Sequence, residues 1–133
     1  MRVLFFILFA STTLAGKSFA QECRCQSIEN SVESIYEVDT AAGRHMKLRF
    51  ETDPVTRQTT LGFLCVDPDI AVSQARLWMP EHGHGSSPTR LVPAGNACTR
   101  IERINFVMDG LWEIRVRLSD NDTGNFSFDV GNL

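Results

Sequence analysis

Two histidines separated by one glycine, His82 and His84 in the run "LWMPEHGHGSSPTRL" (Leu77–Leu91), are the residues of this chain best suited by type and spacing to chemistry. Imidazole is the commonest protein ligand for copper, zinc and nickel. With only Gly83 between them, the backbone is free to fold so that both rings reach one ion. Met79, three residues before His82, adds a thioether, a soft donor that favours Cu(I) over harder ions. Met108, just before Asp109-Gly110, joins the same site if strand order brings the two turns together. His45-Met46 is a third His-Met neighbourhood, but adjacent residues of a strand face opposite ways, so only one of them could contribute. Each feature also has a plainer reading. Met79-Pro80 can end a strand with Met79 as a core filler, and Met108 can pack in the same way. Gly83 and Gly85 can serve positive backbone dihedrals alone. A histidine in such a turn often just hydrogen-bonds a backbone carbonyl.

No Gly-x-Ser-x-Gly elbow and no His-Glu-x-x-His motif occurs, and the chain reads as a non-enzyme. Cys-Arg-Cys (Cys23–Cys25) is the remaining candidate for thiol chemistry, as a thiolate metal site or a redox pair. The start of the chain argues against free thiols. "MRVLFFILFASTTLAGKSFAQECRCQ" has a basic residue, an apolar run and the small residues of "SFA" before a cut after Ala20, the pattern of a secretory signal peptide. The apolar run is too short and too interrupted for a membrane span, which needs about 20 residues. Cys23 follows Gln21-Glu22 rather than small residues, which argues against a lipoprotein signal. Residues 1–20 are therefore read as a cleaved leader of a periplasmic or secreted protein.

In an oxidising compartment four cysteines imply disulfides. Cys23, Cys25, Cys65 and Cys98 allow three pairings, and the tight Cys23–Cys25 ring is sterically awkward. The expectation is that each N-terminal cysteine crosses to Cys65 or Cys98, each bridge contributing about 2–4 kcal/mol. Arg2 and Lys17 leave with the signal segment, so eleven of the thirteen basic residues face all sixteen acidic ones, a mature net charge of about −5. That balance speaks against nucleic acid and anionic membrane surfaces as partners. No later segment is long and apolar enough to span a bilayer. The expected partners are a metal ion and another envelope protein.

The elements that must position the histidines read as strands. Residues 21–33 form a polar, cysteine-bearing arm, and 34–133 one domain. "SIYEVD", "HMKLRFE", "LWEIRVRLSD" and "NFSFDV" alternate apolar with polar residues. "TLGFLCV" reads as a more fully buried strand closed by Asp67-Pro68-Asp69. "VSQARLWM", "TRLVPA" and "TRIERINFVM" supply three more, with Ile101, Ile104 and Phe106 as core candidates. Asp109-Gly110 between two strand patterns predicts a hairpin. Short strands set off by Gly, Pro, Asn and Asp turns indicate an all-β sandwich of seven to eight strands.

Two ordered motifs, "ARLWMPEHGHGSSPTRL" and "INFVMDGLWEIRVRL", resemble the YtkA-like domain family, related to FixH and CopC-type copper-handling proteins. Met79, Pro80, Gly83, His84 and Gly85 match the first motif; Phe106, Met108, Gly110, Trp112 and Ile114 match the second. The resemblance spans Ile70 to Val130 and implies an immunoglobulin-like sandwich in the bacterial envelope that carries or buffers a metal, copper above all. The four cysteines and the polar arm depart from the family pattern. Gln21 stands where an amino-terminal Cu(II) site would need histidine. The rival expectation is a non-catalytic interaction module whose His-Gly loop is structural.

Overall fold

Alternating apolar and polar residues fold into nine strands and two antiparallel sheets in the computed structural model, which describes residues 35–95 and 97–131. The strands are β1 (Tyr36–Asp39), β2 (His45–Phe50), β3 (Thr59–Asp67), β4 (Val72–Met79), β5 (His84–Gly85), β6 (Arg90–Pro93), β7 (Cys98–Asn105), β8 (Gly110–Leu118) and β9 (Thr123–Val130). One sheet has the order β1-β2-β3-β7-β6 and the other β5-β4-β8-β9. Among the described residues no helix is long and apolar enough to cross a membrane.

The all-β sandwich expected from the alternation is what forms, with β5 as the strand beyond the expected seven to eight. Two residues are too few to leave a period-2 signature. Every second residue of β2, β8 and β9 is buried, so Met46, Leu48 and Phe50 face Ile114, Val116, Phe126 and Phe128 across one core. Phe106, Phe50 and Phe128 meet there at centroid distances of 5.3–6.3 Å in edge-to-face contacts.

The hairpin expected at Asp109-Gly110 does not form. β7 pairs with β3 and β6, whereas β8 pairs with β4 and β9, so residues 106–109 carry the chain from one sheet to the other. The run expected to continue as strand to Met108 therefore stops at Asn105, and Phe106 turns into the core, fully buried.

Cys65 and Cys98 lie directly opposite each other in the β3–β7 register. With Phe63 they form a small buried group apart from the main core. Neither is a free thiol; both are disulfide-bonded. Cys23 and Cys25, the expected partners, lie outside the described residues, as do the leader and the arm, and that pairing stands as a proposal.

One polar knot ties the sheets together at the β8–β9 turn. Asp122, 9 % exposed, accepts hydrogen bonds from Thr40 Oγ1 (2.5 Å), Ala42 N (2.9 Å), Thr123 N (2.9 Å) and Arg44 Nη1 (3.0 Å). Thr40 and Arg44 belong to the β1–β2 turn, so one carboxylate joins the hairpins of two sheets. The Thr40 hydroxyl first, then the Ala42 amide and the guanidinium, hold the Asp122 carboxyl below the usual carboxylate range. Because the folded state binds this proton more weakly, its contribution is present above about pH 4 and lost as pH falls through the lower folded-state value. An Asp122→Asn variant should melt below the wild type at pH 7, and the gap should close as pH falls below about 4 in thermal scans.

Candidate metal site

The β4–β5 hairpin builds the His-Gly loop. The Met79 carbonyl accepts hydrogen bonds from Gly83 N (2.9 Å) and His82 N (3.3 Å), closing one tight turn. Gly83 has φ +64°, a conformation that costs a residue with a side chain, so here the glycine serves geometry. Gly85 does not share that dihedral. It is needed because a Cβ there would lie 2.8 Å from the Leu77 carbonyl oxygen.

Register then sorts the side chains. Met79 pairs with His84 and Trp78 with Gly85. Directly opposed residues of an antiparallel pair share a face, with Cβ atoms about 4.5–5.5 Å apart. Met79 therefore sinks into the core, 1 % exposed, and His84 stands half-buried at its rim. The His84 ring lies edge-on to Trp112, centroids 6.0 Å apart at 74°. His82 is exposed on the turn, its ring centroid 5.8 Å from that of His84.

His84 has a defined proton arrangement. Its Nδ1 is 2.9 Å from the Gly85 carbonyl oxygen. A carbonyl only accepts, so Nδ1 carries the hydrogen in this bond, and in the corresponding neutral tautomer Nε2 keeps its lone pair. Metal-ligating histidines commonly donate their other ring nitrogen to a backbone carbonyl in this way, which fixes tautomer and ring orientation.

The second motif meets the first at this end of the sandwich. Trp112 is fully buried and donates from Nε1 to the Met108 carbonyl at 2.8 Å. Met108 is half-buried and packs against the core. Gly110 has φ +129°, and a Cβ on it would lie 2.7 Å from the Met79 methyl. The link of residues 106–109 is buttressed from outside: Arg57 N donates to the Phe106 carbonyl (2.8 Å), and the Thr56 hydroxyl bonds the Asp109 carboxylate. Strand order thus brings the two turns together, the condition on which Met108 could approach the histidines.

Of the residues singled out in the sequence, His82, His84, Met79 and Met108 gather at this end. His45 and Met46 do not. His45 Nδ1 bonds Asp39 Oδ1 at 2.9 Å, and Met46 packs against Gly124 near the polar knot, at the other end of β8 and β9. The part played by Trp112 as a wall for His84 was not foreseen, although its motif was. Among the described residues no three His, Cys, Asp or Glu side chains cluster as a metal site. The donors on offer are two imidazole nitrogens and methionine sulfur.

Comparison with known proteins returned no match: no family model, no curated protein and no solved structure is significantly similar to the chain. The likeness to YtkA-like domains rests on the two motifs.

Gly110 is the most exacting position of this end. Gly110→Ala adds both a positive-φ penalty and a clash with Met79, so it should destabilise by about 2–4 kcal/mol. Gly43→Ala, also at positive φ but with open space around it, isolates the dihedral cost. Urea denaturation of both variants should show the larger loss at Gly110.

Proposed function

We propose that the protein binds copper at the β4–β5 hairpin and serves as an exported carrier or buffer for the ion in the bacterial envelope. The observation that carries this reading is the relation of the two imidazoles. With a metal–nitrogen bond of about 2.0–2.1 Å, each ring centroid would stand about 3.2 Å from a shared ion, so centroids up to about 6.4 Å apart can serve one ion. His82 and His84 are 5.8 Å apart. Among the described residues His84 Nε2 has no hydrogen-bond partner, and its other nitrogen is held by a carbonyl.

The donor set indicates which ion. Two imidazoles with thioether sulfur suit soft, low-coordinate Cu(I) better than ions that require oxygen donors. Met79 is the thioether directly across the strand pair from His84, and Met108 is the second, on the neighbouring link. No step of chemistry is assigned to the protein; an ion held at a turn by few ligands is poised for transfer, and no enzymatic role is proposed. The signal-peptide pattern and the motif likeness support the envelope setting.

One observation favours the rival, a structural loop in an interaction module. The Gly85 carbonyl and the Trp112 edge account for His84 without any metal. They leave His82 exposed and unexplained.

Titration with Cu(I) against a competing chelator, and with Cu(II) by tryptophan fluorescence, tests the reading. The wild type should take up one ion at least about 100-fold more tightly than the His82→Ala/His84→Ala double variant, and His45→Ala should bind as the wild type does. Equal, weak binding by wild type and double variant would establish the structural loop instead.

A further inference from the structure

The outward face of the β4-β8-β9 sheet carries a charge pattern that the fold does not require. Three rungs are fixed by the register: Gln74–Arg117–Thr123, Arg76–Arg115–Asn125 and Trp78–Glu113–Ser127. Arg76 and Arg115 are direct cross-strand partners, and like charges so placed destabilise a sheet. Both guanidiniums lean on one indole, with Cζ atoms 5.1 Å and 4.8 Å from the Trp78 ring centroid. Arg115 Nε donates to Glu113 Oε2 at 2.7 Å, but Arg76 and Arg117 make no ion pair among the described residues. Gln74, Arg76, Arg115, Arg117, Thr123 and Asn125 line a shallow depression of about 300 Å³.

We propose that this face is a binding site for a phosphate group. Trp78 contacts both guanidiniums, whose residues are direct cross-strand partners, and offsets their repulsion. Arg117 lies one rung along, about 7 Å away on the same strand. Guanidinium forks match the tetrahedral oxyanion geometry of phosphate bidentately, and the amides of Gln74 and Asn125 and the hydroxyl of Thr123 add neutral donors. Charge decides for phosphate over a carboxylate. Within the three rungs, three guanidiniums against the Glu113 carboxylate leave two positive charges, which a phosphate monoester of about −1.5 to −2 neutralises and a carboxylate does not; Asp129, the other outward acid, lies one rung beyond Glu113, on the side away from Arg117. The cluster is local and runs against the net charge of −3 of the whole chain. It is also separate from the histidine loop, since Trp78 and Met79 face opposite sides of the sheet.

The phosphate could be soluble or carried on a lipid headgroup, and two probes distinguish these sources. Isothermal titration of the intact protein with inorganic phosphate and a soluble phosphate monoester reads the free group. Co-sedimentation with phosphatidic acid/phosphatidylcholine vesicles, beside pure phosphatidylcholine vesicles, reads the headgroup. Binding in either arm should weaken at least about 10-fold in Arg76→Gln/Arg117→Gln and fall partway in Arg117→Lys, which keeps the charge and loses the fork. Arg90→Gln, an exposed arginine on the other sheet, should bind as the wild type does. Circular dichroism confirms that each variant is folded. No binding in either arm, or equal binding by the folded double variant and the wild type, would overturn the proposal. Copper titration of the same double variant should be unchanged.

Discussion

The methyl of Met79 against the α-carbon of Gly110 is the contact on which this end of the molecule depends. Met79 ends β4 and Gly110 begins β8, so the contact sits where two neighbouring strands meet the loops that leave them. It holds the β4–β5 hairpin and the link of residues 106–109 at one distance. From that follow the position of Trp112, the edge it turns to His84, and the placing of His82 over the rim. A side chain at Gly110 would push the two loops apart and separate the groups that they carry.

The two ends of the sandwich are built by different physics. At one, a buried carboxylate gathers four donors from two hairpins and is stabilised as an anion. At the other, aromatic and sulfur-bearing side chains close the core, and the polar groups left over are imidazoles at the rim. The first arrangement fixes the sheets against each other, because its satisfied hydrogen bonds have little freedom to rearrange. The second keeps nitrogen lone pairs near the surface beside polarisable sulfur. Among the described residues no buried charge lies at this end to repel a soft ion or compete for it.

Much of this was legible in the sequence, for reasons that can be named. β2, β8 and β9 have one buried face each, and burial of a single face writes a period of two into the chain. "HMKLRF" and "LWEIRVRL" therefore announce themselves as strands. The gathering of His82, His84, Met79 and Met108 at one end was legible only as a condition on strand order, which the β4–β8 pairing meets. What could not be read was pairing. Asp109-Gly110 has the composition of a hairpin turn, but turn chemistry reports local dihedrals, and which strand pairs with which is decided by the core that Phe106 enters. β5 was invisible because two residues have no period. The outward arginines were equally silent, since alternate residues of β8 say only that they face solvent. Only the β4–β8 register places Arg76 opposite Arg115. The burial of Met79 illustrates the same limit, because its spacing from His82 is the same whether it fills the core or also faces an ion.

Copper binding through His84 is read most directly in the nitrogen NMR spectrum of its ring, before and after one equivalent of Cu(I). The free protein should show an Nδ1–H tautomer, from the bond to the Gly85 carbonyl, and a large shift confined to Nε2 when the ion is added, with His82 responding at the same stoichiometry. An Nε2–H tautomer in the free protein, or ring nitrogens that ignore the ion, would contradict this reading.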